Sequence, residues 1–270
     1  VEIENKLIDA VKSAAHGRVA YVCFSGGVDS SVVLAASVRA GVETVALLGV
    51  SASLAASERE DAHRIAGEIG ARVHEVETNE MELAGYRANA GDRCYYCKSA
   101  LYDTVLALAE RRNDDEVIFV GTHVGDLGEH RPGLQAAMER GVVAPLVDAG
   151  LGKEDVRALA RHWNLSNAEK PAAPCLASRL PVGAEVTPER LGQIEVVEEF
   201  LRQRDVWPAR ARWHESVVRI EVAPEMFERV TSEPLRGDLR RACRQAGFKF
   251  VALDLGGLQS GSVSLPLLAS

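Results

Sequence analysis

The sequence predicts an α/β protein, a parallel β-sheet with helices on both faces followed by a smaller C-terminal α+β domain. Three observations predict it. Short apolar runs rich in β-branched residues alternate with amphipathic segments up to residue 123, and that alternation is what crossover helices over a parallel sheet require. A glycine turn, Ser25-Gly26-Gly27, stands between the first run and the first amphipathic segment after it. After Gly152 the texture changes, and a loop holding Pro171, Pro174 and Pro181 leads into a mixed α+β stretch. The boundary therefore falls between residues 165 and 185, dividing the chain into domains 1–168 and 169–270.

Residues 1–18 carry a mixed, charged helical pattern. Residues 19–24 (Val-Ala-Tyr-Val-Cys-Phe) read as a buried strand. Residues 29–40 place Val32, Val33, Ala36 and Val38 at helical spacing. A second strand covers 44–50, and a second helix 58–69 with Ser57 in the N-cap position. A third strand at 72–77, a helix at 98–112 patterned by Leu101, Val105, Leu106 and Leu108, and a fourth strand at 116–120 follow. Beyond residue 152 come a helix at 153–162 and another from Thr187-Pro188 to residue 204, with Thr187 as cap and Pro188 in the first turn. A strand pair within 209–222, one helix over 225–245 and a strand at 249–255 complete the smaller domain.

Composition narrows the function. With 26% charged and 47% hydrophobic residues in 270, the chain is neither disordered nor fibrous. A net charge of −8 argues against holding nucleic acid by neutralising its phosphates. No stretch reaches the roughly 18 apolar residues of a membrane span, and residues 1–18 lack a signal-peptide core. The expectation is a cytoplasmic protein, with no membrane or nucleic-acid partner and with reduced thiols. Five cysteines are too few and too odd in number for a disulfide scaffold.

Ligands of parallel sheets bind beyond the carboxyl ends of the strands. Those ends are Ser25-Gly26-Gly27, Ser51-Ala52-Ser53 and Gly121-Thr122-His123. A glycine turn entering a helix offers backbone N–H groups and a positive helix end to an anion. Ser25, Ser30 and Ser31 add hydroxyls, and Asp29 can hold a metal or cap the helix. No Gly-Lys-Ser/Thr follows, so this is not a Walker-type loop.

Cys23 and Cys243 sit among apolar neighbours and read as inert. Cys94 and Cys97 form a CxxC before a helix, flanked by Arg93 and Lys98, and Cys175 lies on the Pro-rich loop. Residue type leaves four readings open for these thiols: a redox pair, half a zinc site, three ligands of a [4Fe-4S] cluster with one iron open, or unrelated structural thiols. The seven histidines show no HxxxH or HExxH spacing. Asp126 and Arg131, beside Gly125, Gly128 and Gly133, lie on a polar loop that either orders over a nucleotide or stays solvated. Lys153 either reaches a phosphate or points to solvent. Arg210 and Arg212 alternate along a strand and share a face, which suits a phosphate. Arg236, Arg240, Arg241 and Arg244 on one helix read as a solvated face, with tRNA contact as the alternative.

The string SGGVDSS at 25–31 resembles the PP-loop of the ATP pyrophosphatase family, the adenine nucleotide alpha hydrolase-like group of GMP synthetase, NAD synthetase and the tRNA thiolation enzymes. Together with DRCYYCK at 92–98, GTHVGDLGEHRPG at 121–133 and EKPAAPCLASRLPVG at 169–183, it resembles the LarE family of ATP-dependent sulfur transferases. ARARWHESVVRIEV and FVALDLGG extend the likeness over nearly the whole chain.

The resemblance implies adenylation of a carboxylate of pyridinium-3,5-biscarboxylic acid mononucleotide by ATP and Mg2+. Sulfur then displaces AMP to give the thiocarboxylate used in nickel-pincer nucleotide biosynthesis. By resemblance Ser25, Gly26, Gly27, Val28, Asp29, Ser30, Ser31 and Gly121 bind ATP, and Arg179, Arg210 and Arg212 bind the substrate phosphate. Cys175, Asp29 and Glu198 are the catalytic residues, and Cys94, Cys97 and Cys175 hold the [4Fe-4S] cluster. The resemblance also implies a homo-oligomer and an unidentified sulfide donor. His123 departs from the pattern, which favours Asn there. Two other readings are a PP-loop tRNA thiolase, opposed by the acidic balance and by Val28 where those enzymes often carry Lys, and a non-catalytic nucleotide- or zinc-binding module.

Overall fold

The computed structural model describes residues 2–112, 115–127 and 132–258. They belong to two compact units, one made of Val1–Ser51, Ala56–Tyr86 and Asp92–Ala173, the other of Ala52–Ala55, Arg87–Gly91 and Pro174–Ser270.

In the first unit the chain runs α1 (Glu2–Ala15), β1 (Val19–Cys23), α2 (Val28–Arg39), β2 (Thr44–Val50), α3 (Ala56–Ile69), β3 (Val73–Glu77), a short α4 (Ala84–Ala88, whose last residues enter the second unit), α5 (Arg93–Arg112), β4 (Glu116–Phe119), α6 (Pro132–Glu139), α7 (Pro145–Asp148) and α8 (Lys153–His162). The strands pair in the order β3-β2-β1-β4, all parallel. Placing β1 inside explains its unbroken apolar run, because a strand covered on both faces needs no polar alternation. Tyr21, Leu47 and Ile118 from the sheet pack with Tyr102, Val105 and Ala109 of α5.

Strand order decides where a ligand belongs. From β1 the chain moves outward through β2 and β3, then returns to lay β4 on the other side of β1. The turn after β1 and the segment after β4 therefore flank the point where the winding reverses, which is where crevices open in such sheets.

Two expectations change here. Helix α5 begins at Arg93, five residues earlier than its apolar stripe indicates, so the CxxC lies inside the helix rather than before it. Its first turn, Arg93 to Tyr96, carries no aliphatic residue. Helix α3 starts at Ala56, so Ser57 is within it and is not the cap.

The second unit holds α9 (Pro188–Arg202), β5 (Ala209–His214), β6 (Val217–Val222), α10 (Phe227–Thr231), α11 (Leu235–Gln245) and β7 (Phe250–Leu253). Thr187 caps α9, its hydroxyl accepting from Arg190 N at 3.3 Å. Sheet order is β5-β6-β7, antiparallel then parallel. The expected single helix over 225–245 is broken between α10 and α11 at Ser232-Glu233-Pro234, since proline lacks the amide a helix interior needs. The two small pieces of this unit are bonded into it. Ser53 O accepts from Leu176 N at 2.9 Å, Arg87 O from Val186 N at 2.8 Å, and Asn89 O from Gly183 N at 2.8 Å. Asn89 Nδ2 donates to the carbonyls of Pro181 and Ala184.

Candidate active site

The turn between β1 and α2 owes its shape to Gly26. Its φ is +71°, and a Cβ there would fall 2.9 Å from the Cα of Ala62 on α3. Both facts demand glycine. The turn's carbonyls are tied back: Gly27 O accepts from Ser30 Oγ at 3.1 Å, Ser31 Oγ at 2.9 Å and Ser31 N at 3.0 Å. The Ser31 N bond is the first of α2, so the amides of Val28, Asp29 and Ser30 have no carbonyl within the helix. Amides so placed, at a helix end where the dipole favours negative charge, can cradle an anion. Ser25 Oγ lies 3.2 Å from Ser30 Oγ and accepts from Gly27 N at 3.4 Å.

The expected ATP residues divide by position. Ser25 is exposed and Gly27 and Asp29 are half-buried. Val28 is buried, so only its backbone is placed to serve a ligand, and Ser31 is fully buried with its hydroxyl committed behind the turn. Gly121 brings backbone against backbone, since a Cβ would lie 2.7 Å from Ser30 N. It lets the segment after β4 close on the first turn of α2.

Lys153, ambiguous in sequence, starts α8 and donates to both carboxylate oxygens of Asp29, at 2.7 and 2.8 Å. An ammonium thus waits beside the cradle. Nearby along the chain, His123 N donates to Asp126 Oδ2 at 3.0 Å, which fixes the start of the loop after β4. Gly128 and Arg131 lie outside the described residues. Asn167, which no motif singled out, reaches the turn through its side-chain amide. Only its long-range contact identifies it.

Gly26→Ala provides a direct test. A side chain at positive φ costs about 1–2 kcal/mol, and the clash with Ala62 adds to it. We expect MgATP affinity to fall by about tenfold or more, read by calorimetry, and unchanged affinity would contradict the cradle.

Cys94 and Cys97 stand three residues apart in the first turns of α5 and so share a face. Tyr95 Oη donates to Glu139 Oε2 at 2.6 Å, and the Tyr96 ring fills the space where a Cβ on Gly85 would be, 2.1 Å from Cζ. Cys94 is exposed and Cys97 half-buried. Burial pushes the thiols of Cys23 and Cys243 up to about 12, which keeps both protonated and unreactive.

In the second unit, exposed Cys175 precedes a 3₁₀ turn, Leu176–Arg179. Arg179, 3% exposed, has its Nε and Nη2 on the two oxygens of Glu198, both at 2.8 Å. Its Nη1 donates to the carbonyls of Pro174 and Cys175 at 2.5 and 3.1 Å and to Ser178 Oγ at 2.9 Å. Arg179 is thus spent on holding the cysteine loop, which corrects its expected phosphate contact. Glu198 also accepts from Ala211 N at 2.9 Å. With its oxygens so engaged it holds Arg179 rather than presenting a free catalytic carboxylate.

Arg210 and Arg212 are both buried on β5. Arg212 donates to Glu221 Oε2 at 2.9 Å and to Ser178 O at 3.1 Å. Arg210 is pushed down to about 10 by burial and by the neighbouring charges of Arg179 and Arg212. A guanidinium so destabilised gains by meeting an anion.

Among the described residues no three His, Cys, Asp or Glu side chains converge as a finished metal site. Cys94 and Cys97 place two thiols outside any disulfide on one helix turn, donors of the kind an iron–sulfur group takes, and the thiol of Cys175 belongs to the second unit. No helix among the described residues is long and apolar enough to cross a membrane.

Residues 2–104 match the asparagine synthase family. The chain is 39% identical over 246 residues to an uncharacterised protein of Synechocystis sp., covering 91% of each. It is 32% identical over 246 residues to the pyridinium-3,5-bisthiocarboxylic acid mononucleotide synthase of Lactiplantibacillus plantarum, covering 90% of this chain and 88% of that one. An uncharacterised protein of Methanocaldococcus jannaschii is 26% identical over 250 residues, covering 93% and 94%.

Proposed function

The chain belongs to the family of the pyridinium-3,5-bisthiocarboxylic acid mononucleotide synthases, the LarE family, and from that premise we propose how its residues carry out the reaction. It is an ATP-dependent sulfur transferase with a PP-loop domain. The substrate is pyridinium-3,5-biscarboxylic acid mononucleotide, which the first unit activates and the second holds while it takes up sulfur.

A substrate carboxylate oxygen attacks the α-phosphorus of ATP, and the bond to the β-phosphate oxygen breaks. The leaving pyrophosphate is taken by the amides of Val28, Asp29 and Ser30. Asp29 would hold the Mg2+ of MgATP, and Lys153, its present partner, would then be free to meet phosphate oxygens. Both changes meet charge that develops on the leaving group. A hydrosulfide sulfur, from a donor not yet identified, then attacks the acyl carbon. AMP leaves with the bonding electron pair, and the hydrosulfide proton passes to solvent. Arg210 anchors the mononucleotide phosphate throughout, with Arg212, held by Glu221 and Ser178 O, adding its charge from the same strand face, which keeps the ring carboxylates at fixed reach. Cys94, Cys97 and Cys175 would hold the [4Fe-4S] group, which when bound supplies an open iron to carry sulfide.

The tied-back glycine turn at the winding reversal of the sheet carries this reading. The test is ATP–pyrophosphate exchange with the pyridinium dicarboxylate mononucleotide. Exchange that depends on this acid is expected. Absence of exchange with every carboxylate substrate would return the chain to a nucleotide-binding module, and salt-dependent affinity for tRNA would favour the thiolase reading.

A further inference from the structure

Asn167 has no part in the reaction as described, yet it is built into the site with care. Its side chain is 2% exposed. Nδ2 donates to Gly26 O at 3.0 Å and to Ser31 Oγ at 2.9 Å. Ser31 Oγ in turn donates to Gly27 O at 2.9 Å. One amide therefore restrains both glycine carbonyls, the first directly and the second through a hydroxyl.

The segment that carries Asn167 is itself clamped on either side. Ser166 N and Oγ donate to the two oxygens of Glu68 on α3, at 3.1 and 2.8 Å. Lys170 Nζ donates to Glu58 and Asp61, each at 2.8 Å. Arg157 Nη1 on α8 holds Ala168 O at 2.8 Å. Meanwhile Asn167 Oδ1 is buried with no hydrogen-bond partner among the described residues. An apolar side chain would spare the fold that desolvation penalty. What an apolar side chain lacks is the pair of donated bonds.

We propose that Asn167 is a positioning residue for the pyrophosphate group of ATP. By drawing the carbonyls of Gly26 and Gly27 back, it prevents either peptide from turning its oxygen toward the anion. The amides that follow then face the phosphates without a competing negative dipole. The effect is on nucleotide and pyrophosphate affinity, not on recognition of the mononucleotide acid. This rests on the reading of SGGVDSS as the nucleotide turn.

Calorimetry with inorganic pyrophosphate and with MgATP tests it, on wild type, Asn167→Leu, Asn167→Asp and Asn167→Ala, with thermal unfolding of each. Ser166→Ala on the same segment is the control, since Ser166 touches Glu68 and Arg64 but not the turn. Asn167→Leu keeps the branching and heavy-atom count of the side chain and removes both donors. It is expected to weaken pyrophosphate and MgATP in parallel by about tenfold, the equivalent of one buried hydrogen bond, while affinity for the mononucleotide acid stays within about twofold. Asn167→Asp is expected to weaken both ligands further, because it adds negative charge beside the cradle. Should Asn167→Leu not fold, the Ala and Asp variants give the same comparison. Pyrophosphate affinity within about twofold of wild type in the folded variants, or an equal loss in Ser166→Ala, overturns the proposal and makes Asn167 a core residue only. Wild type that binds neither pyrophosphate nor MgATP refutes the nucleotide turn itself, a separate result read before any variant.

Discussion

Replacing Cys175 by Ala is expected to lower sulfur transfer by at least about a hundredfold, the upper range for losing even an outer partner of a metal site. Adenylation has no need of this thiol. Cys175 sits in the second unit, whereas the glycine turn proposed to receive ATP is in the first. Substrate-dependent ATP–pyrophosphate exchange should therefore persist. Anaerobically isolated protein supplies a readout apart from turnover: iron and acid-labile sulfide per chain should fall in Cys175→Ala and in Cys94→Ala. Full iron content in both variants would remove the cluster assignment. A colourless, iron-free wild type that still forms thiocarboxylate would do the same.

The largest effect on stability is expected at Glu198. Its carboxylate is 5% exposed and faces Arg179, which is 3% exposed. Glu198→Ala strands a buried guanidinium and the amide of Ala211. Breaking a buried pair from one side costs about 3–5 kcal/mol, and at about 2–4 °C per kcal/mol for a chain of this size Tm should drop by roughly 10 °C. Glu198→Gln keeps an acceptor for Ala211 N and should lose less. The contrast separates two roles. A variant that melts like wild type but cannot thiolate would make Glu198 a catalytic carboxylate after all. A large drop in Tm, with residual activity below the new melting point, confirms that it holds Arg179.

Much of the first unit could be read from local pattern. β2 falls at Thr44–Val50 and α8 at Lys153–His162, where apolar periodicity or strand-like runs match the buried face. The glycine turn was legible for the same reason, since Gly26 and Gly27 directly follow a strand. Strand order was not, because alternation of strands and helices is the same whichever side of β1 receives β4. The start of α5 was missed because its first turn, Arg93 to Tyr96, carries no aliphatic residue to extend the stripe of Leu101, Val105 and Leu108. Among the arginines, sequence alternation correctly put Arg210 and Arg212 on one strand. It gave no sign that Arg179 would be consumed by Glu198 and the carbonyls of the cysteine loop. Asn167 was invisible because its partners lie 141 and 136 positions away, a separation that no spacing rule covers.

The bonds from Ser53, Arg87 and Asn89 into the second unit have a consequence for how the protein is made. Those residues precede in the chain the stretch that bonds them, so the three bonds can form only after residues 174–186 are synthesised. The second unit cannot finish folding as an independent product of its own stretch of chain, and a fragment starting at Pro174 would lack part of its own scaffold. The two units are thus inseparable by a single cut, and the gene cannot exchange one half for a foreign half without carrying two short interior passages along with it.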